Sequence, residues 1–176
     1  QISVFDGSIK WSYQSQNPPL TINSQGKMLY SEEVIYSGLP GGKLIAIEAK
    51  SGMLLWEATV DQSKGITEIE RANDITSQPI ADGPIIYSIS SKGKIAAFDR
   101  RTSQTLWDRT LSSFVGLNLY GNDIIVMHES SSIYSLQNYA GETNWRNADL
   151  QYRNIGRGVI IGDHIATGDF DGYLHF

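Results

Sequence analysis

There is no cysteine among the 176 residues, so neither a disulfide framework nor a thiolate zinc site is available. That absence fits reducing and oxidising compartments alike. No apolar run approaches the ~18 residues of a membrane-spanning helix, and Gln1 opens on neither a basic leader nor a lipid-attachment cysteine. A membrane connection is expected only through a lipid anchor lying outside this chain. Basic charge is also scarce. Lys and Arg number 14 against 19 Asp and Glu, a formal net charge of −5, the wrong sign for gripping phosphate backbones. Nucleic acid is therefore not an expected partner.

The side-chain constellations of catalysis are missing as well. No serine sits in a Gly-x-Ser-x-Gly turn and no glycine-rich stretch fits a phosphate loop. His128, His164 and His175 fall in separate predicted strands without metal-ligand spacing. Asp169, Asp171 and Gly172 have the opening of a calcium loop without its third ligand or closing Glu, and read as a hairpin turn. No enzyme activity, catalytic residue, cofactor or metal is expected.

What is present is a repeat, exposed by the four tryptophans. Ala46, Glu48, Ser51, Gly52 and Trp56 recur as Ala97, Asp99, Thr102, Ser103 and Trp107, and more weakly as Ser135, Gln137, Ala140, Gly141 and Trp145. An eroded first copy keeps Asp6, Gly7 and Trp11, and Gly172, Tyr173 and Leu174 begin another. The repeats occupy 1–45, 46–96, 97–134 and 135–176. Within each, short β-branched and aromatic runs such as 85–89 and 123–127 are punctuated by Gly, Asn, Asp or Ser, the grammar of four short strands. Units of this kind at ~40–45 residues predict an all-β fold, a β-propeller of four-stranded antiparallel blades, about four of them here. The glycine before each Trp suits a tight turn, and the Trp is placed to wedge between blades.

The blade motif resembles that of propellers related to pyrroloquinoline-quinone dehydrogenases. Thr67, Glu68, Ile69, Glu70, Arg71, Asp74, Thr76 and Pro79, with Gly168, Asp169, Gly172, Tyr173 and Leu174, are similar to segments of the BamB family of the outer-membrane β-barrel assembly machinery. The resemblance runs along nearly the whole chain. It implies part of an eight-bladed, non-catalytic scaffold on the periplasmic face of the bacterial outer membrane. The partners implied are the POTRA domains of BamA and unfolded outer-membrane protein clients. The alternatives are a fragment of a quinone-dependent dehydrogenase-like propeller and a generic protein-interaction module.

Connectors from each outer, Trp-bearing strand to the next blade should emerge on one face, where loops carry function. The two long ones place Leu20 and Ile22 near Glu68, Arg71 and Asp74, apolar anchors with a polar rim. The family resemblance carries a BamA-binding role onto these connectors, through a Leu-x-Leu-Arg stretch and an Asp-x-Asp pair. Leu20 and Asp74 match and Ile22 is conservative. Asn23 stands in place of the Arg and Thr76 in place of the second Asp, so Arg71 is expected to share the charge role. The expected partner-binding set is Leu20, Ile22, Asn23, Glu68, Arg71, Asp74 and Thr76.

Overall fold

Strand residues alternate between two faces, and in this chain both faces are apolar. Tyr36, Leu44 and Ala46 point one way and pack with Ile86, Ala96 and Phe98 of the following sheet. Tyr87, Ile95 and Ala97 point the other way and pack with Ile124, Val126 and Leu136 of the sheet after that. A sheet covered on both sides must have neighbours on both sides, which stacks the sheets in series around an axis.

The computed structural model describes residues 1–16, 27–62 and 73–176. The first sheet is formed by β1 (Met28–Ser31), β2 (Val34–Leu39), β3 (Lys43–Glu48) and β4 (Leu54–Thr59). The second contains β5 (Ile80–Asp82), β6 (Ile85–Ile89), β7 (Lys94–Asp99) and β8 (Thr105–Thr110). The third contains β9 (Leu117–Tyr120), β10 (Asp123–Met127), β11 (Ile133–Gln137) and β12 (Thr143–Asn147). The last has three strands, β13 (Val159–Ile161), β14 (His164–Gly168) and β15 (Leu174–His175). Each sheet is an antiparallel meander in chain order. No helix occurs among the described residues. The chain is thus an all-β run of propeller blades. Residues 1–11 add an outer hairpin closed by an Ile2–Ile9 bridge.

The repeat phase of the sequence falls inside a sheet, since Ala46, Ala97 and Ser135 all lie in third strands. Opposite those residues stand Trp56, Trp107 and Trp145, and each pairing is followed by a register shift, at Ala46/Ile47, Ala97/Phe98 and Ser135/Leu136. A bulge in the same place in every blade adds local twist to the outer strand. The cores lie between sheets: a third cluster, Ile125, Met127, Ile133 and Ile155, joins the last two. Burying each such side chain stabilises the fold by roughly 1.5–3 kcal/mol relative to exposure.

Candidate partner-binding site

Three of the four tryptophans are spent on architecture. The indole N–H of Trp11 donates to the Ala49 carbonyl at 3.0 Å, that of Trp56 to Arg100 at 2.8 Å, and that of Trp107 to Asn138 at 2.9 Å. Each acceptor lies on the next sheet, seven residues before that sheet's own Trp. A Cβ at Gly52 would fall 2.5 Å from the Trp11 ring, and one at Gly141 2.6 Å from the Trp107 ring. Both glycines hold positive φ, 78° and 70°, so turn and close approach both demand a residue without a side chain. At the intervening junction Ser103 holds φ 61° instead. Asp99 caps that turn, accepting from the backbone N–H of Arg101 and Thr102 and from the Thr102 hydroxyl.

A second row of bonds runs along one face of the arc, where the connectors meet the hairpins between second and third strands. Backbone N–H groups of Ile75, Ser91, Ser113, Glu129, Tyr152 and Phe170 donate to carbonyls of Leu39, Asp74, Ser90, Ser112, Ser130 and Arg153. Connector and hairpin alternate, so the belt crosses every described sheet. This is the face on which the sequence reading places the connectors expected to bind a partner.

Asp74 is part of the belt's frame. It is 1% exposed, its carboxylate accepts from the Gly41 N–H at 3.0 Å, and its carbonyl accepts from Ser91 at 2.9 Å. One residue therefore ties the hairpin of the first sheet to that of the second. Thr76 is half-buried, and its hydroxyl donates to the Phe114 carbonyl at 2.9 Å, tying one connector to the next. Beside it, Asn73 bonds the Asp61 carboxylate and accepts from the Lys92 N–H at 3.2 Å. Leu20, Ile22, Asn23, Glu68 and Arg71 lie outside the described residues.

Three exposed aromatics stand on the same face without having been legible as a group: Phe114, Tyr152 and Phe170. Phe114 carries the carbonyl that Thr76 holds, and Phe170 bonds the residue after Tyr152. Phe114 and Tyr152 each follow their own blade's Trp by seven residues, and Phe170 stands at a different phase. The usable signal was an aromatic inside a polar connector or turn, where packing does not call for one.

The remaining polar groups serve turns and sheet edges. His128 lies just past β10, and its Nδ1 accepts the Ser130 N–H at 3.0 Å and meets the Ser130 hydroxyl at 2.7 Å. Burial lowers the His128 pKa. The Ser and His are two residues apart in one tight turn, a local cap. Asp169 is enclosed by the Arg153 guanidinium at 2.6 Å, His175 Nε2 at 2.9 Å and the Tyr173 N–H at 2.9 Å. Burial opposes its ionisation, but the bonds from His175, Arg153 and Tyr173 prevail and hold its carboxyl well below the usual range. Burial, reinforced by the charge of Asp82, pushes the Tyr87 phenol up to about 12. Among the described residues no three His, Asp or Glu side chains gather closely enough to hold a metal ion.

Four-stranded blades latched by a tryptophan on the outer strand define a propeller of the pyrroloquinoline-quinone-like class. Within that class, the model of the family described as outer membrane protein assembly factor BamB matches residues 1–147, and the chain belongs to that family. A relative of that name from Bordetella pertussis is 31% identical over 172 residues, 97% of this chain and 45% of its own length. The crystal structure of BamB from Moraxella catarrhalis superposes with a TM-score of 0.88 at 29% identity, covering 96% of this chain and 51% of that one. The chain spans about half the length of the relatives it matches. A europium-containing methanol dehydrogenase shares the fold alone, at TM-score 0.58 and 13% identity.

Proposed function

We propose that this chain forms part of a non-catalytic scaffold of the outer-membrane β-barrel assembly machinery. Its connector face docks the POTRA domains of BamA and helps position unfolded outer-membrane proteins for insertion. The scaffold works at the periplasmic face of the outer membrane, held there by a lipid anchor outside this chain. The observation that carries the reading is the continuous backbone belt on that face. Bonds that tie the described connector residues to hairpins of neighbouring sheets reduce the ordering entropy that opposes docking.

Within this reading Asp74 acts from beneath, by fixing the connector. Thr76, with Leu20, Ile22, Asn23, Glu68 and Arg71, supplies the contact surface, and Phe114 and Tyr152 extend it with the aromatic anchors that concentrate binding energy in interfaces. The family's name and the use of its conspicuous side chains in blade locking support a binding role over turnover.

The test is a calorimetric titration of the chain with the isolated periplasmic POTRA domains of BamA. Saturable binding is expected, weakened at least tenfold by Leu20→Ala with Phe114→Ala while the circular dichroism spectrum is unchanged. Full affinity in a folded double variant would remove this face from the interface.

A further inference from the structure

The hairpin between second and third strands is capped differently in adjacent sheets. In the second sheet the Ser90 hydroxyl accepts from the N–H groups of Gly93 and Lys94 at 3.1 and 2.8 Å. His128 holds the same position in the third sheet: Ser90 N–H donates to the Lys94 carbonyl, and His128 N–H to the Ser132 carbonyl. There the cap is a ring nitrogen, Nδ1, which accepts the Ser130 N–H at 3.0 Å. A hydroxyl keeps its acceptor lone pairs near neutral pH, whereas Nδ1 accepts only while it carries no proton.

The hairpin of residues 128–132 holds both neighbouring connectors. Glu129 N–H donates to the Ser112 carbonyl at 3.3 Å, and the Ser130 carbonyl accepts from Tyr152 at 3.0 Å. The Ser131 hydroxyl accepts from the Ile155 N–H at 3.3 Å. Ser131, Tyr152 and Asn154 hold positive φ, 66°, 66° and 51°. Non-glycine residues stay in that region only where their surroundings hold them. Tyr152 is 86% exposed, so its side chain adds little packing to that restraint.

Burial disfavours the His128 cation, Glu129 in the hairpin favours it, and Arg146 of β12 opposes it. Arg146 also donates to the Ser132 hydroxyl at 3.1 Å, with its guanidinium over the Tyr134 ring. Tyr134 of β11 packs its ring 5.6 Å from the imidazole. The connectors meet the hairpin through backbone groups of Ser112, Tyr152 and Ile155. The balance lowers the His128 pKa, so the ring takes its proton below the ordinary value of about 6.5.

We infer that the 128–132 hairpin is an acid-sensitive latch on the connector face: a proton on His128 Nδ1 evicts the Ser130 N–H, and the hairpin releases Tyr152 and Ile155. The new Nδ1–H turns to the Ser130 hydroxyl, 2.7 Å away, and the connector relaxes from its left-handed conformation. The strands keep their pairing, in which Met127 and Ile133 are the last partners before the hairpin. The latch thus changes the setting of Tyr152 between two folded states. That Tyr152 contacts a partner rests on the proposed docking role; the latch itself does not.

The test is NMR on the chain between about pH 8 and pH 5. It follows the His128 ring together with the protection of the Ser130, Tyr152 and Ile155 amides against hydrogen exchange, corrected for the intrinsic effect of pH. His128→Asn is measured beside the parent, because its amide oxygen can stand where Nδ1 does and does not titrate. In the parent, protection of the three amides should fall by about tenfold or more with the midpoint of the His128 ring, while amides of β10 and β11 stay protected. In the variant it should not change. Tyr152 and Ile155 amides that keep their protection as the His128 ring titrates overturn the inference, and the parent alone decides this if the variant does not fold. A loss that persists in folded His128→Asn, or that spreads to β10 and β11, overturns it equally. No partner enters the measurement, so failure of the latch and failure of docking are separate results.

Discussion

The indole N–H of Trp107 reaches across a blade junction to the carbonyl of Asn138, 2.9 Å away, and the side chain of the same Asn138 turns back to donate to Asp82 at 2.9 Å. One residue thus receives the preceding blade's Trp and grips that blade's first hairpin. Arg100 does both in the junction before. Its carbonyl takes Trp56, while its guanidinium lies over the Tyr36 ring at 5.3 Å and bonds the Tyr36 hydroxyl and Ser31. The stack is held by apolar cores, but the relative setting of its sheets is held by these latches.

Removing the indole donor isolates the latch. Trp107→Phe keeps an aromatic ring against Gly141 and leaves the Asn138 carbonyl without its donor, so a loss of about 1 kcal/mol is expected. Trp107→Ala removes the packing too and should cost about 3 kcal/mol or more. Urea denaturation of both variants measures the difference. Equal losses would mean that the hydrogen bond contributes nothing beyond packing.

The Arg100 side chain is 8% exposed and also bonds the Gly83 carbonyl and Glu32. Its planar fork reaches partners on two sheets at once, a geometry that an ammonium cannot reproduce. Arg100→Lys should therefore lose most of what Arg100→Ala loses, about 2 kcal/mol, from buried oxygens left without donors. Thermal melts of the pair check this, and a Lys variant as stable as the parent would assign the effect to charge alone.

Ser103 occupies a left-handed turn position that Gly52 and Gly141 fill elsewhere. A non-glycine residue there carries backbone strain on the order of 1 kcal/mol, partly offset by the entropy a glycine adds to the unfolded chain. Ser103→Gly is expected to raise the melting temperature. A lower value would show that the Ser103 side chain contributes more than its strain costs.

The fold was legible because its grammar is periodic. Four Trp motifs with a turn residue at fixed spacing could be overlaid without structural information, and apolar runs between turns mark strands covered on both sides. The function of Asp74 was less legible. A carboxylate in a long connector reads as solvated, and only the three-dimensional approach of the Gly41 N–H and the Ser91 N–H reveals it as a clasp. Phe114 and Tyr152 were missed although each follows its blade's Trp by seven residues, because the other two copies carry Pro18 and Ser63 at that phase and the repeat was overlaid on the residues before the Trp. Asp74→Ala is accordingly expected to destabilise the fold by about 1–3 kcal/mol through the donors it leaves unpaired. It is a poor probe of docking, and a fully stable Asp74→Ala variant would refute the clasp.

The Asp169 cluster predicts acid sensitivity at the last sheet. Its folded-state pKa lies below the unfolded value of about 3.9. The stabilisation is therefore fully present above that value and is lost as pH falls through the lower, folded one. Parent and Asp169→Asn proteins should differ in stability at pH 7 and converge progressively below about pH 4. Denaturation curves across that window are the check, and a gap that widens on acidification would reverse the assigned sign.

The proposal of a connector face that docks a partner without turnover is tested most directly by calorimetry. The POTRA domains of BamA would be titrated into the parent chain and into the folded Leu20→Ala, Phe114→Ala variant. Saturable binding by the parent and at least tenfold weaker binding by the variant is the predicted result. No heat from the parent, or equal affinity for the two proteins, would contradict it.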